Sequence, residues 1–512
     1  MTEIIQIVLF LLAVLVIVAV FAQHLKTPPS ILLVIAGVAL ALIPGLPPVE
    51  LAPELVLLVL LPPLIYSAGV SMSWREFRFH LRAITLLAFG CVVFTTCAIA
   101  ATVHYWLGWQ WEVAFVLGAI VAPPDVVAPL AIARRLGLPR RLLVVLEGEG
   151  LANDATALIL YRFAVVAIAT GSFSLPQAAG TFGLIVVGEI IYGIGVGWLS
   201  LKLRQWTKNP RVEITLSLMT PYLAYWIPEH IGGSGVLATV AAGLYVSWNG
   251  PRLIPAATRL QGIFFWDLVI YLIEGFVFLI TGLQARTLIE KAHDFPIREL
   301  LAATAITTAI IIAARFIWVF PAIYLPRWLS PSLAKRDPSP PWQNAFIIAF
   351  TGVRGVVSLA AALAIPLTIA SGAPFPQRDL ILFVTFGVII ITLVGQGLML
   401  PAVINWIGLG AHGKAEHRRE QEAELAARNA AIRASRSRLE RMASERNLSP
   451  EILEFLNARH DHRERLIPDD LDGGLKAMRE GKITDESRRR LERDLDLEEA
   501  AILARREGMT PL

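Results

Sequence analysis

Apolar runs long enough to cross a lipid bilayer recur from residue 4 to about residue 406 of this 512-residue chain. A helix of about 20 apolar residues fits the hydrocarbon thickness of a membrane. Hydropathy and breaker residues indicate about thirteen such spans, so we expect an all-α polytopic membrane protein. The approximate limits of the spans are 4–22, 29–44, 54–69, 82–106, 112–132, 142–170, 180–203, 211–227, 233–248, 262–284, 299–325, 343–366 and 379–406.

Charge divides the chain into two predicted domains, a transmembrane domain at 1–410 and a tail at 411–512. The tail holds 21 of the 45 Lys and Arg residues and 22 of the 41 Asp and Glu residues. We expect a solvated helix or a loosely ordered extension there, or else a regulatory or dimer-contacting segment. The formal net charge of +4 is too small and too mixed along the chain to indicate nucleic acid binding.

The loops between the spans indicate how the chain is oriented. The positive-inside rule places the more basic set of alternate loops in the cytoplasm, with the N-terminus outside and the tail inside. That orientation requires an odd number of spans. The basic set carries Lys26, Arg75, Arg78, Arg82, Arg134, Arg135, Arg140, Arg141, Lys202, Arg204, Lys208, Arg211, Arg252, Arg259, Arg327, Lys335 and Arg336.

Two spans contain polar interruptions in corresponding places. Thirteen spans allow six spans, one linker span and six more in inverted topology, which is a common transporter plan. The fifth and sixth spans then correspond to the twelfth and thirteenth. The interruptions are "APPDVVAP" at 122–129 in the fifth span and "TGVRGVVS" at 351–358 in the twelfth. Adjacent prolines remove backbone donors, so Pro123 and Pro124 are expected to break the fifth helix, with Asp125 compensating the N-terminus of a half-helix.

The sixth span places an unusual set of polar groups in an apolar context, "EGEGLANDATALILYRFA" at 147–164. Glu149 and Asn153 are i,i+4 neighbours, and Glu147 and Asp154 are i,i+7 neighbours, so the four share one broad face. That face must contact protein or water and not lipid. The acids either form structural ion pairs, with Arg354 and Arg315 as partners, or bind transported ions.

Burial makes a lone carboxylate able to hold either a proton or a small hard cation. Hard cations prefer oxygen ligands, which Asp154, the carbonyls of a broken helix and water provide. Competition between the two ions at a site that faces one side at a time would give exchange. The core has too few cations to neutralise every acid, which favours an ion-binding role for Asp154. For Glu149 a structural pair and a transport role both remain open.

The chain resembles a bacterial sodium/proton antiporter of the monovalent cation:proton antiporter-1 family over nearly all of residues 4–406. "EGEGLANDATAL" is similar to the family's Glu-Ser-Leu-Leu-Asn-Asp helix, and "APPDVVAP" to its Thr-Asp-Pro break. "FTGVRGVVSLAAALAIP" resembles its Gly-Gly-Leu-Arg-Gly segment, and "TLVGQGLMLPAV" its Gln-Gly-Leu-Thr-Leu-Pro ending. "VEITLSLMTPYLAYWIPEHIGGSGVLATVAAGLY" looks like the family's eighth and ninth helices.

The resemblance implies a role for each matching residue. Asp154 would bind the monovalent cation or the proton, Asn153 would support the helix crossing, and Asp125 would be the charge at the break. Arg354 would be the partner of Glu149, with Glu147 as a further support. The Asn-Asp pair implies electroneutral exchange of one cation for one proton.

The resemblance also implies the setting of the protein. It predicts alternating access in a homodimer of the cell inner membrane, a role in pH homeostasis, Na⁺ as the cation with Li⁺ or K⁺ as alternatives, and no cofactor. The chain departs from the family at Pro124, where the family has threonine, and at Gly150, where it has serine. Both hydroxyls are cation ligands in family members.

Two other classes of function remain as alternatives. A passive cation channel would need a continuous polar pore, whereas the polar residues are concentrated near two breaks. An enzyme is not expected, because the sequence has no G-x-S-x-G, H-E-x-x-H or G-x-x-x-x-G-K-[ST] motif and no His/Cys cluster. Cys91 and Cys97 lie in one apolar span and are expected to pack as small hydrophobic residues.

Overall fold

A computed structural model describes residues 2–44, 52–171, 173–207, 209–293, 295–369 and 372–410, and isolated positions beyond them. The chain divides into two compact units, Met1–Leu409 and Gly410–Leu512. The predicted tail lies almost wholly outside the described residues, as do the loop at 45–51 and Lys208. The division of the chain into an exchanger domain and a cytoplasmic tail stays a prediction.

The regular secondary structure among the described residues of the first unit is helical, apart from one isolated bridge between Thr368 and Pro374. The helices are α1 (Thr2–Leu25), α2 (Pro29–Ala41), α3 (Leu61–Ser71), α4 (Trp74–Thr85), α5 (Val92–Leu107), α6 (Trp111–Val121), α7 (Val127–Arg135), α8 (Arg140–Thr170), α9 (Leu175–Arg204), α10 (Pro210–His230), α11 (Val236–Leu253), α12 (Ala256–Lys291), α13 (Ile297–Leu329), α14 (Pro331–Arg336), α15 (Trp342–Phe350), α16 (Val356–Leu363), α17 (Arg378–Ile390) and α18 (Gly397–Trp406). Three π-helical turns interrupt or extend these helices. Leu55–Leu60 continues into α3, Leu86–Cys91 joins α4 to α5, and Ile391–Gln396 joins α17 to α18.

Seven helices in the described part of the chain are long and apolar enough to cross a membrane. Shorter apolar helices lie at Pro29–Ala41, Leu55–Ser71 and Trp111–Val121. A helix or a pair of helices occupies each of the thirteen predicted spans. The all-helical membrane fold is therefore confirmed, while the number of crossings and the orientation stay predictions.

Glycines allow the closest helix contacts in the first unit. Gly37 of α2 and Gly282 of α12 face each other, and a Cβ on either would collide with the backbone of the other helix. Gly193 of α9 approaches the backbone of Ala238 in α11 in the same way. Close backbone approach at small residues is how helices pack in a membrane, where lipid removes the hydrophobic drive for association.

Both predicted polar interruptions are breaks in the helices. At the first interruption, α6 ends at Val121 and the chain becomes helical again as α7 at Val127, as Pro123 and Pro124 predict. At the second interruption, α15 ends at Phe350 and the chain becomes helical again as α16 at Val356. The chain between each pair of half-helices is non-helical, so its carbonyl and amide groups are available to other partners.

Candidate ion-binding site

The two breaks meet each other inside the first unit. The backbone N–H of Asp125 donates to the carbonyl of Val353 at 2.7 Å. The side chain of Arg354 donates to the carbonyl of Val121, where α6 ends, and its backbone N–H donates to Thr392 Oγ1 at 3.0 Å. Non-helical backbone of this kind is tolerated at membrane depth only where protein or a water-filled cavity satisfies it.

Asp125 lies between the first turns of two half-helices. Its Oδ1 accepts from the N–H of Val127 at 2.9 Å, in the first turn of α7. Its other oxygen is packed against Gly355, which precedes α16, and a Cβ at that position would collide with the carboxylate. Helix N-termini carry partial positive charge, so both ends favour an anion at this point. Glycine at 355 is therefore what gives this carboxylate room at the crossing.

Asn153 connects the long helix α8 to the first break. Its side chain is fully buried, and its Nδ2 donates to the carbonyl of Pro124 at 2.7 Å. Its Oδ1 is also buried and has no hydrogen-bond partner among the described residues. A buried acceptor without a donor is costly unless something else satisfies it. A cation or a water in the site would do so.

Asp154 follows Asn153 on α8 and is half-buried. It lies within electrostatic range of Asp125. Two carboxylates close together in an apolar surrounding repel each other unless a cation or a proton lies between them. The structure thus brings Asp154, Asn153 and Asp125 together at the crossing, which is the set that the sequence predicts for ion binding.

Gly150 lies one turn before Asp154 and faces the break. A Cβ at this position would collide with the side chain of Val126. A valine methyl from the opposite segment therefore takes the space that a side chain at position 150 would need. This contact is a packing reason for glycine at 150 that the sequence alone does not provide.

Glu149 forms a buried ion pair, but its partner is Arg315 of α13 and not Arg354. Two bonds join the guanidinium and the carboxylate, at 2.5 and 2.8 Å, and the two side chains are 2% and 0% exposed. Arg315 also donates to the carbonyl of Ile348 at 2.9 Å. The predicted pairing with Arg354 is wrong, because carbonyls freed by the breaks, those of Val121 and Gly352, take the Arg354 guanidinium instead.

Glu147 lies two residues before Glu149 on α8, about half a helical turn away. It accepts from Arg134 of α7 at 2.5 Å, and the arginine is 58% exposed. Exposed pairs contribute roughly 0–1 kcal/mol. This pair links α7 to α8 next to the break and fits the supporting role proposed for Glu147.

Two further acids outside the predicted set lie within the helices of the first unit. Glu274 of α12 is half-buried and lies within electrostatic range of Asp125 and Arg134. Glu189 of α9 is buried and accepts from the backbone N–H groups of Gly235 and Leu237, both at 3.2 Å, at the start of α11. A lone acid within an apolar span is the signal that could have identified Glu274.

The donor set suits a singly charged ion. No group of three or more His, Cys, Asp or Glu side chains that could hold a metal occurs among the described residues. The carboxylate of Asp125 lies between two helix N-termini, which balance part of its charge. The carboxylate of Asp154, the amide oxygen of Asn153 and the loose carbonyls of a helix break then supply oxygen ligands with little further charge. Such a set can neutralise one proton or one monovalent cation.

Comparisons with known proteins identify the family to which the chain is similar. Residues 10–406 match the family described as "Sodium/hydrogen exchanger, transmembrane". An uncharacterized Na(+)/H(+) exchanger of Mycobacterium bovis is 35% identical over 465 residues, which cover 90% of this chain and 84% of that protein. A sodium, potassium, lithium and rubidium/H(+) antiporter of Bacillus pumilus is 33% identical over 386 residues, 73% of this chain and 57% of that protein.

A solved structure has the same fold. The sodium proton antiporter MjNhaP1 from Methanocaldococcus jannaschii, at pH 8, matches with a TM-score of 0.58 and 18% identity, over 80% of this chain and 99% of that one. The family match covers more than half of the chain and includes both breaks and α8. The chain therefore belongs to the sodium/hydrogen exchanger family.

Proposed function

We propose that the protein exchanges one monovalent cation for one proton across the cell membrane, with Asp154 as the carboxylate that carries either ion. The observation that supports this proposal is the position of Asp154 at the helix crossing, next to Asn153, whose Oδ1 has no hydrogen-bond donor among the described residues. Asn153 holds the crossing through Pro124 and presents its oxygen to the cation. Asp125 supplies the second charge at the break.

Exchange follows from competition at that carboxylate. A proton and a cation cannot both neutralise Asp154 at the same time, so binding of one releases the other. When the site with its bound ion opens to the opposite side of the membrane, it releases that ion and binds the other kind, a proton in place of a cation or a cation in place of a proton. Because either loaded form has the same charge, the exchange is electroneutral.

Alternating access would move the crossing helices and α8 as a unit against the rest of the first unit. Antiporters with broken helices use rigid-body motion of this kind around a midplane site. We place the protein in the inner membrane as a homodimer, with the N-terminus outside and the tail in the cytoplasm. The basic loops support this orientation.

Na⁺ is the first candidate for the cation, since the family and the mycobacterial relative are named for Na⁺ exchange. K⁺/H⁺ exchange is the second candidate. Two observations support it, the wider cation range in the name of the Bacillus relative and the absence of the two family hydroxyls at Pro124 and Gly150. A site with fewer fixed oxygen ligands discriminates less between cations of different size.

Replacing Asp154 tests the proposal. Asp154→Asn keeps the shape of the side chain and removes its charge, so we expect normal insertion and loss of cation-driven proton movement. The measurement is fluorescence dequenching in inside-out vesicles, with Na⁺, Li⁺ and K⁺ added in turn across pH. Glu112→Gln, at an exposed acid in the first turn of α6, is the matched control and should exchange normally. Normal exchange by Asp154→Asn would reject the mechanism.

A further inference from the structure

We infer that Arg162 of α8 is a positioning residue that holds the ion site closed on its outer side, by bonding to the turn between α10 and α11. Its guanidinium donates to the carbonyl of Gly233 and to the carboxylate of Glu229. Gly233 lies in that turn, and Glu229 lies in the last turn of α10. The inference rests on the proposed exchange cycle, in which α8 moves against helices such as α10 and α11.

Arg162 lies on the helix that carries the ion site. Asp154, Leu158 and Arg162 are spaced by four residues on α8, so they follow one face of the helix. At a rise of about 1.5 Å per residue, Arg162 lies about 12 Å along the axis from Asp154. The predicted orientation directs this end of α8 toward the outside. In that orientation the contact lies between Asp154 and the outer surface.

The turn that Arg162 contacts is held by α9. Glu189 of α9 accepts from the backbone N–H groups of Ser234 at 2.5 Å and of Gly235 at 3.2 Å. A carboxylate is favoured there, because the N-terminus of α11 carries partial positive charge. A Cβ on Gly233 would collide with the Glu189 carboxylate, so the turn packs directly on it. Arg162 therefore joins α8 to a turn that is fixed to α9 and α11.

This contact can separate in water, unlike the other ion pair of α8. The side chains of Arg162 and Glu229 are 30% and 22% exposed. Those of the buried pair, Arg315 and Glu149, are 2% and 0% exposed. A partly exposed pair loses little when it separates, because water solvates both charges. Glu229 Oε2 is also buried and has no hydrogen-bond donor in the part of the chain that the structure describes, so the closed arrangement leaves one acceptor unsatisfied.

A contact of this kind sets the balance between the two open states of an alternating-access protein. While Arg162 holds the turn, the site is closed to the outside. A cation that binds from outside needs the outward-open state, so its apparent affinity weakens as the fraction of that state falls. Breaking the contact should therefore strengthen the apparent affinity for an outside cation and weaken it for an inside cation.

The first test measures the apparent KM for Na⁺ from each side, in right-side-out and inside-out membrane vesicles. Arg162→Gln and Glu229→Gln should each lower the ratio of the outside to the inside KM by roughly threefold or more. If Arg162 acted only by repelling cations, the two variants would shift the outside KM in opposite directions, since one removes a positive charge and the other a negative charge. Opposite shifts would overturn the inference.

A labelling experiment measures the same opening without transport. Leu158→Cys places a thiol one turn before Arg162, at a position that is 7% exposed, in a chain with Cys91→Ser and Cys97→Ser. A membrane-impermeant thiol reagent added from outside should react several times faster when Glu229→Gln is also present. Equal labelling rates with and without Glu229→Gln would overturn the inference.

One control variant separates the contact from a general change of charge. Glu290→Gln removes an exposed, paired carboxylate at the end of α12, on the same predicted side of the membrane. It should leave the KM ratio and the labelling rate unchanged. The two measurements also separate this inference from the proposed function. A wild type without cation-driven proton movement would reject the function, and labelling would still decide whether Arg162 closes the site. Normal exchange with an unchanged KM ratio in both variants would reject the inference alone.

Discussion

At the residue scale, Glu149 and Arg315 depend on each other because water reaches neither. Removing one partner of a buried pair costs about 3–5 kcal/mol, since the other charge is left uncompensated. We expect Glu149→Gln to destabilise the protein by about that amount and Glu149→Gln/Arg315→Gln to recover part of the loss. The measurement is a double-mutant cycle of unfolding free energies in detergent.

Two comparisons make this cycle specific. The exposed pair Arg286–Glu290 on α12, at 2.8 Å, is the matched control and should couple by less than about 1 kcal/mol. A cycle of Glu149 with Arg354 should show a smaller coupling than the cycle with Arg315. Strictly additive losses for Glu149 and Arg315 would contradict the pairing, because independent residues add.

The hydroxyl that the family has at position 150 offers a second test on single residues. Gly150→Ser alone crowds Val126, and overpacking costs about 1–3 kcal/mol. Gly150→Ser/Val126→Ala should relieve this strain and add an oxygen ligand near Asp154. We therefore expect the double variant to prefer Na⁺ over K⁺ more strongly than the wild type does.

Apparent affinities for Li⁺, Na⁺ and K⁺ in proteoliposomes measure that preference. Gly150→Ala/Val126→Ala makes the same change in volume without the hydroxyl and should leave the preference unchanged. If the alanine variant shifts the preference as much as the serine variant, the hydroxyl is not a ligand. If neither shifts it, position 150 does not face the cation.

At the scale of helices, local chemistry predicted the breaks and the polar face, and tertiary packing decided the partners. Pro123 and Pro124 remove backbone donors wherever they occur, so the end of α6 could be read from the sequence. The spacing of Glu149 and Asn153 placed both on one face of α8, and both are buried. Which arginine reaches Glu149 depends on the depth and rotation of α13, which no local pattern encodes.

Another contact between helices shows the same limit. Arg162 of α8 donates to the carbonyl of Gly233 and to the carboxylate of Glu229, which ties α8 to the end of α10. The acceptors lie 67 and 71 residues further along the chain, so only the folded packing brings them together.

At the scale of the whole molecule, the proposed competition of both ions for one carboxylate predicts that the apparent cation affinity depends on pH. As the pH falls, protons occupy Asp154 and the cation must displace them, so apparent affinity for the cation weakens. Where the proton-bound form dominates, each unit of pH should change the apparent affinity constant by about tenfold for one proton per cation. Initial exchange rates against Na⁺ concentration at several pH values measure this slope. A slope of two would indicate a second exchanging proton.

Electroneutral exchange also predicts that membrane potential does not drive the protein. In the proposed cycle, Asp154 crosses neutral whether it holds a proton or a cation, so one-for-one exchange moves no net charge. If the cycle moved one elementary charge, 100 mV would be worth about 2.3 kcal/mol and would shift the balance of the gradients roughly 50-fold. We expect the cation gradient that balances a fixed proton gradient in proteoliposomes to be the same at 0 mV and at 100 mV. The potential would be set with K⁺ and valinomycin, and Na⁺ would be the exchanged ion. A shift approaching 50-fold would show that a second group, with Asp125 as the nearest carboxylate, also carries a proton through the cycle.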